Sequence, residues 1–219
     1  MQRNFLVAFD CEKVLIDGEF FPSLANKLGK GKEVEEITLK GIRGEIRWED
    51  GFYKRVEMLK GAPYETCLEV ANSLPIMKGA KETIEKLHNL GIKTIMITGG
   101  FSLLANRVKA TLGIDFVSSN EMVFKNRRLA GAKLFVDSKK IAALSEIRER
   151  NNLKDAILLA SIVDGANDLT LFDEAKLKIA FNAQEIVKRR ADIVISEKDL
   201  RKILPHVEEV YFKYANAQI

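Results

Sequence analysis

Two acidic residues that follow a short apolar stretch are the first candidates for chemistry in this sequence. Residues 5–9, FLVAF, predict a buried strand, and Asp10 and Glu12 follow it directly, one residue apart. A buried carboxylate at a strand end is destabilising by several kcal/mol unless a cation or hydrogen bonds compensate for it. The pair therefore indicates either a polar strand end that faces water, or a nucleophilic carboxylate with a partner acid, placed where α/β sheets bind their ligands.

Three further stretches have residue types that could act with this pair. Residues 97–101, ITGGF, predict a strand that ends in a hydroxyl and two glycines before a helix, a combination that suits a phosphate. Two lysines, at residues 139–140, lie at the predicted start of a helix, where the positive end of the helix dipole disfavours cations. Their position indicates either a bound anion or a solvated surface pair. Asp164, Asn167 and Asp168 follow an apolar strand, and such oxygen ligands suit Mg²⁺.

Together these stretches describe one reaction at phosphorus. A carboxylate would attack the phosphorus, a hydroxyl and backbone amides would hold the phosphate oxygens, a lysine would neutralise charge, and Mg²⁺ would bridge. The only histidines, His88 and His206, lie in charged helical segments, so a histidine triad or a zinc site is not favoured. The only cysteines, Cys11 and Cys67, indicate reduced thiols and a cytoplasmic chain rather than a disulfide framework.

Length and charge limit the class of protein. The chain has 219 residues, which suits one core domain with a small insertion. Its formal net charge is +4, without a basic block that carries aromatic residues, so we expect an anionic small-molecule partner and no nucleic acid. No apolar run reaches about 18 residues, and the N-terminus lacks the features of a signal peptide, so no membrane association is expected. We expect a monomer or a homodimer.

The apolar pattern changes along the chain and predicts two parts. Residues 17–76 have apolar positions at helical spacing, interrupted by glycine and proline, and predict a bundle of about four short helices. From residue 77 strands alternate with helices, which predicts a mostly parallel sheet covered on both faces. We therefore expect an α/β fold: a Rossmann-like core formed by residues 1–16 and 77–219, with a helical cap, residues 17–76, inserted after the first strand.

Some predicted elements of the core bear on the site. A short strand is expected at residues 116–117, and a separate hairpin follows it, with strands at 121–125 and 128–133. Helices are expected at residues 138–151, 167–174 and 198–213.

In order and spacing, these stretches resemble the four motifs of the haloacid dehalogenase-like hydrolases, and the chain is similar to the phosphoserine phosphatase branch of that superfamily. The resemblance covers residues 5–205. The residues that carry it are TGGF at 98–101, DGANDLTLF at 164–172, EKDLRKIL at 197–204, and, in the cap, Trp48-Glu49 and YKRVEMLK at 53–60.

The resemblance implies roles for the first two motifs. Asp10 would be the nucleophile that becomes an aspartyl phosphate. Glu12 would be the acid–base group, and its backbone carbonyl would bind Mg²⁺. Thr98, Gly99 and Gly100 would bind the phosphate.

The resemblance also implies roles for the third and fourth motifs. Lys140 would be the phosphate-binding lysine, with Lys139 as the alternative. Asp164 would ligate Mg²⁺, Asp168 would support that metal site, and Asn167 would lie near the phosphate.

In the cap, Glu19 and Arg55 match the pair that binds the amino and carboxylate groups of the substrate. Ile42 and Trp48 would form walls of the pocket.

Three departures from the family pattern involve four positions. Glu12 replaces the usual Asp, and its extra methylene moves the carboxyl by roughly 1–1.5 Å, a shift that can change a rate about 10²-fold. Lys13 and Val14 replace a small residue and a Thr, and Val163 replaces a Gly. Other members of the branch resemble the Glu pattern, so activity is still expected.

The sequence therefore favours a Mg²⁺-dependent phosphomonoester hydrolase that acts on L-phosphoserine, in serine biosynthesis. Two alternatives stay open. One is a phosphatase for another small phosphate ester. The other is a degenerate homologue that binds a phosphorylated ligand with little turnover.

Overall fold

The apolar run Phe5–Phe9 forms β1, the central strand of a seven-stranded sheet. The structure is a computed structural model that describes residues 4–42 and 45–216, without the side chain of Ile42. The other strands are β2 (Ile92–Phe101), β3 (Phe116–Lys125), β4 (Arg128–Lys133), β5 (Ile157–Val163), β6 (Leu177–Phe181) and β7 (Ile193–Ile195). They lie in the order β4-β3-β2-β1-β5-β6-β7, and among these described strands only β3 and β4 are antiparallel neighbours. The predicted mostly parallel α/β sheet is confirmed.

Helices cover both faces of this sheet. They are α5 (Ala80–Asn89), α6 (Ser102–Leu112), α7 (Ile141–Arg150), α8 (Leu169–Phe172), α9 (Glu185–Lys188) and α10 (Leu204–Asn216). Phe5, Val7 and Phe9 of β1 belong to a hydrophobic cluster with α5, α6 and α10, whereas Leu6 and Ala8 belong to a second cluster with α7, α8 and α9. Burial on both sides explains why β1 is apolar at every position. Among the described helices, none is long and apolar enough to cross a membrane.

In the described part of the chain between β1 and α5 there are four further helices, as the sequence predicts for residues 17–76. They are α1 (Phe20–Lys27), α2 (Gly31–Ile42), α3 (Trp48–Leu59) and α4 (Tyr64–Ser73). The chain enters and leaves this segment side by side: the Asp17 N–H donates to the Pro75 carbonyl at 2.9 Å, and the Met77 N–H donates to the Leu15 carbonyl at 2.9 Å. The four helices therefore form an insertion whose two linkers to the core are hydrogen-bonded to each other. The two-domain division itself stays a prediction.

A second attachment joins this helical insertion to the sheet. The hairpin of β3 and β4 turns at Asn126 and Arg127, both with positive φ, as the sequence predicts. Beyond the turn, the Gly61 N–H donates to the Leu129 carbonyl at 2.8 Å, and the Leu129 N–H donates to the Ala62 carbonyl at 2.8 Å. The loop between α3 and α4 is thereby hydrogen-bonded to the edge of the sheet.

The structure differs from the sequence prediction in four elements. β3 is one continuous strand rather than two, because it pairs with β2 along its first half and with β4 along its second half. The helix expected from residue 138 begins at residue 141, after a turn in which the Asp137 carboxylate accepts from the Lys139 N–H at 2.7 Å. The segments expected as helices at 167–174 and 198–213 each begin with a 3₁₀ turn, at residues 166–168 and 200–203.

The central position of β1 predicts a large effect of truncation there. Leu6 is fully buried, so Leu6→Ala should reduce the free energy of unfolding by about 2–5 kcal/mol, measured by urea denaturation. Val194→Ala in edge strand β7, where the side chain is 48% exposed, is the control and should change it by about 0.5 kcal/mol or less. Equal effects of the two substitutions would contradict the central placement of β1.

Candidate active site

Three buried carboxylates meet at the carboxyl end of the central strands. Asp10 directly follows β1, and its N–H donates to the Ile162 carbonyl of the neighbouring β5 at 3.0 Å. Asp164 directly follows β5, and Asp168 lies one 3₁₀ turn further on. One oxygen from each of Asp10, Asp164 and Asp168 lies within 4.8 Å of the others. Adjacent parallel strands thus bring together acids that are 158 residues apart at most along the chain.

Lys140 enters this acidic cluster from the start of α7. Its ammonium donates to Asp10 Oδ1 at 2.6 Å and to the Ile97 carbonyl at 2.9 Å, and it also pairs with Asp168. The residue is 1% exposed, whereas Lys139 is exposed. Of the two lysines left open by the sequence, Lys140 contacts the carboxylates.

The turn after β5 fixes the orientation of Asp168. The Gly165 N–H donates to Asp168 Oδ2 at 3.1 Å, and the Asn167 amide donates to Asp168 Oδ1 at 3.3 Å. Asn167 therefore lies beside the cluster and contacts Asp168, and its place near the phosphate stays a prediction.

The cluster carries more negative charge than Lys140 neutralises. Burial, and then repulsion by Asp10, raise the pKa of Asp164, and burial also raises the pKa of Asp168. Although burial opposes it, attraction to Asp10 and Asp168 holds the pKa of Lys140 above its ordinary value. Carboxylate oxygens are the ligands that hard divalent cations prefer, so both the donor set and the excess charge fit such a cation.

The stretch Thr98-Gly99-Gly100 forms a loop beside this cluster. The register between β2 and β3 shifts between Ile97 and Phe101, so the residues between them leave the regular ladder. Thr98 is buried, and its hydroxyl accepts from the Gly100 N–H at 2.9 Å. This loop lies at the end of β2, next to β1, where the sequence predicts phosphate binding.

Trp48 of the helical insertion lies against this loop. A Cβ on Gly99 would stand 2.5 Å from Trp48 Cζ2, so only glycine permits this approach. The indole stacks on Phe52 with 5.5 Å between ring centroids, and Phe52 lies 5.5 Å from Phe101 at the end of the loop. Trp48 therefore lies directly over the loop, and its role as a wall of the substrate pocket stays a prediction.

Glu12 is partly buried and points toward the same loop. A Cβ on Gly100 would stand 3.0 Å from Glu12 Oε1. Burial, followed by repulsion from Asp10 and Glu19, raises the pKa of Glu12 to about 8. The carboxyl group therefore holds its proton at neutral pH in the metal-free protein.

Arg55 faces this region from α3. Its guanidinium lies over the Phe21 ring at 4.6 Å, and its Nε donates to the Gly51 carbonyl at 3.1 Å. Burial lowers the pKa of Arg55, while the charges of Glu12 and Glu19 oppose this shift. Arg55 is thus a partly desolvated cation whose charge acts on both acids.

Lys13 connects Glu19 with the acidic cluster. Its ammonium lies 3.1 Å from Glu19 Oε2 and 3.8 Å from Asp164 Oδ2. The backbone of Lys13 has φ +61°, a conformation that favours glycine. The sequence indicated an added charge near the site, and the structure shows that this charge pairs with Glu19.

The other predicted site positions have simpler outcomes. The side chain of Ile42 lies outside the described residues, so its place in the pocket stays a prediction. Val14 and Val163, two of the departures from the family pattern, are fully buried, each in one of the two hydrophobic clusters. They contribute to the core.

Two contacts at the site were not predicted. Asn120, a fully buried residue of β3, donates from Nδ2 to the Gly99 carbonyl at 2.9 Å. Glu49 of α3 accepts from the Ser138 hydroxyl at 2.6 Å, just before Lys140. The sequence carries no signal for either contact, because polar residues of these types at these positions also suit an exposed strand and an exposed helix.

The raised pKa of Glu12 predicts a pH dependence of stability in the metal-free protein. The folded state keeps the Glu12 proton up to about pH 8, whereas the unfolded state releases it near 4.5. Folding therefore binds a proton between these values, and this group contributes a stability loss of up to about 1.4 kcal/mol per pH unit as the pH rises. Glu12→Gln should flatten the curve of unfolding free energy against pH from 5 to 8.

Urea denaturation in the presence of a chelator measures this difference. Glu57→Gln, an exposed change on α3, is the matched control and should keep the wild-type slope. Identical slopes for Glu12→Gln and the wild type would show that Glu12 is not desolvated.

Comparison with known proteins agrees with this geometry. A family model of the haloacid dehalogenase-like hydrolases matches residues 6–127. Phosphoserine phosphatase from Methanocaldococcus jannaschii is 34% identical over 212 residues, which are 94% of this chain and 99% of that protein. Phosphoserine phosphatase from Campylobacter jejuni subsp. doylei is 37% identical over 202 residues, 91% of this chain and 97% of that one.

A solved structure agrees as well. It is described as a phospho-aspartyl intermediate analogue of phosphoserine phosphatase and has a TM-score of 0.86 and 32% identity, covering 94% of this chain and 99% of that chain. With this fold, this cluster of acids and these relatives, the chain belongs to the haloacid dehalogenase-like hydrolases.

Proposed function

We propose that this protein is a Mg²⁺-dependent phosphatase that hydrolyses L-phosphoserine to L-serine and phosphate through an aspartyl phosphate. The observation that carries the proposal is the position of Asp10 at the end of the central strand. Its carboxylate accepts a hydrogen bond from Lys140, and one of its oxygens lies within 4.8 Å of a carboxylate oxygen of Asp164 and of Asp168. The proposal also draws on the family and on relatives that are phosphoserine phosphatases.

The reaction has two displacement steps. In the first, an Asp10 oxygen forms a bond to phosphorus while the bond from phosphorus to the serine oxygen breaks, and Glu12 donates its proton to that oxygen. In the second, Glu12 removes a proton from water, the water oxygen bonds to phosphorus, and the bond to Asp10 breaks. Phosphate leaves, and both residues return to their starting states.

The other residues of the cluster position the phosphate and the metal. Mg²⁺ would be held by carboxylates of Asp10 and Asp164 and by the Glu12 carbonyl, with Asp168 beside them. When bound, Mg²⁺ neutralises charge on the phosphate oxygens and orients them toward the nucleophile. Lys140 supplies a second, fixed positive charge on the same side.

The remaining phosphate contacts come from the irregular carboxyl end of β2 and from the turn after β5. Thr98, Gly99 and Gly100 would donate hydrogen bonds to phosphate oxygens, and Asn167 would lie near the phosphate.

The helical insertion supplies recognition of the rest of the substrate. Glu19 would bind the ammonium group of phosphoserine and Arg55 its carboxylate, while Ile42 and Trp48 would enclose it. Residues 17–76 would act as a cap domain on the core that closes over the substrate and excludes water. We propose a cytoplasmic enzyme with a small-molecule phosphate ester as its partner.

One observation favours a second candidate, a phosphatase for a small ester without an amino group. Lys13 already pairs with Glu19 at 3.1 Å, so a substrate ammonium must compete with an internal ammonium for the same carboxylate. An ester that lacks the amino group would leave this pair intact. A panel of phosphate esters distinguishes the two candidates.

Loss of the nucleophile should abolish turnover. Asp10→Asn keeps the shape of the side chain but removes the anionic oxygen, so phosphate release from phosphoserine with Mg²⁺ should fall by about 10³-fold or more. Asp173→Asn, a change at an exposed aspartate, is the control and should retain wild-type turnover. Unchanged turnover in Asp10→Asn would exclude the proposed mechanism.

The carboxylate contact predicts a substrate-specific effect at Arg55. Arg55→Ala removes a charged hydrogen bond of about 1.5–3 kcal/mol, so kcat/KM for phosphoserine should fall about 10–100-fold. The neighbouring exposed change Lys54→Ala is the matched control and should have little effect. p-Nitrophenyl phosphate, which has no carboxylate, should lose much less activity. Equal losses with both substrates would contradict recognition of an amino acid and favour another phosphate ester.

A further inference from the structure

Asn120 lies where the hydrogen-bond ladder between β2 and β3 is interrupted. Ile97 pairs with Ser118, and the next pair is Phe101 with Asn120, so three residues of β2 lie opposite a single residue of β3. The Asn120 side chain compensates for part of this gap, because Nδ2 donates to the Gly99 carbonyl at 2.9 Å. A side-chain amide thus holds the backbone of the loop that would bind phosphate.

The same amide binds a second segment of the chain. Asn120 Nδ2 also donates to the Val136 carbonyl at 3.0 Å, and its Oδ1 accepts from the Phe135 N–H at 2.7 Å and the Val136 N–H at 2.8 Å. A side-chain amide offers two donor hydrogens and two acceptor lone pairs, and all four are used here. Asn120 is fully buried, so water does not compete for these hydrogen bonds.

These two segments carry different parts of the site. The Gly99–Gly100 peptide is held at its carbonyl by Asn120 and at its N–H by the Thr98 hydroxyl, at 2.9 Å. The segment at residues 135–136 leads within four residues to Lys140. Asn120 therefore links the phosphate loop directly to the segment that positions the lysine.

We propose that Asn120 is a positioning residue that sets the distance between the phosphate loop and Lys140. It acts through the backbone of Gly99 and Val136 and does not touch the substrate. A misplacement of about 1 Å at such a site can lower a rate about 10²-fold. The inference rests on the proposed phosphatase activity for its kinetic readout, but phosphate binding tests it separately.

The test variant is Asn120→Asp, which keeps the size of the side chain and both acceptor contacts. A protonated aspartic acid offers one donor hydrogen and an ionised carboxylate none, where the amide offers two, so at least one of the hydrogen bonds to the carbonyls of Gly99 and Val136 is lost. We expect kcat/KM for phosphoserine to fall about 10–100-fold, and the affinity for inorganic phosphate with Mg²⁺, measured by calorimetry, to fall about 10-fold.

Asp115→Ala is the matched control. Asp115 accepts from the N–H and the hydroxyl of Thr94, at 2.8 and 3.0 Å, near the opposite end of β2. Its removal also deletes hydrogen bonds and lowers Tm, but it leaves the phosphate loop intact. Phosphate affinity and kcat/KM should therefore stay within about twofold of wild type.

The outcomes separate positioning from a general structural role. Lower Tm in both variants with unchanged phosphate affinity in Asn120→Asp would overturn the inference. If Asn120→Asp does not fold, Asn120→Ser, which is neutral and too short to bridge the two segments, is measured in the same way. A wild-type protein that binds phosphate without hydrolysing phosphoserine would contradict the proposed function, while phosphate affinity would still decide the role of Asn120.

Discussion

The rest of the site depends on the contacts that the buried ammonium of Lys140 makes with three segments of the core. The ammonium joins the end of β1 through Asp10, the end of β2 through the Ile97 carbonyl, and the turn after β5 through Asp168. A buried charge without partners is strongly unfavourable, so each of these segments has to reach its place before Lys140 can be buried. The same contact that satisfies this charge therefore also aligns the proposed nucleophile with the loop that would bind phosphate.

The carboxylates around this lysine carry more negative charge than its ammonium neutralises. Asp10, Asp164 and Asp168 share one buried cation, and the raised pKa of Asp164 reflects both its burial and its repulsion by Asp10. Such a cluster is unfavourable for folding alone, but it is suited to a divalent cation. Lys13 moderates this charge from the side of the helical insertion, at 3.8 Å from Asp164. A divalent cation bound there would therefore couple the stability of the fold to metal binding through the same carboxylates.

The described part of the helical insertion contacts the core at several places. Its two linkers to the core are hydrogen-bonded to each other, and the loop between α3 and α4 is hydrogen-bonded to the β3–β4 hairpin. At the site, Trp48 packs on Gly99, Lys13 pairs with Glu19, and Glu49 accepts from the Ser138 hydroxyl at 2.6 Å. The start of α3 is therefore held against the core by packing and by a hydrogen bond, next to the acidic cluster.

The sequence alone determined the parallel sheet, the four inserted helices and the stretches that carry the chemistry, because apolar spacing reports burial and each of these stretches follows a buried strand. The sequence favoured Lys140 and kept Lys139 as the alternative, and only the tertiary structure shows that Lys140 contacts Asp10, the Ile97 carbonyl and Asp168, since adjacent residues of a helix start point in different directions. The tertiary structure alone also produced the continuous β3, whose neighbours on both sides override its weak apolar pattern. The role of Asn120 is likewise visible only in the tertiary structure, because its hydrogen bonds join segments that no local sequence pattern connects.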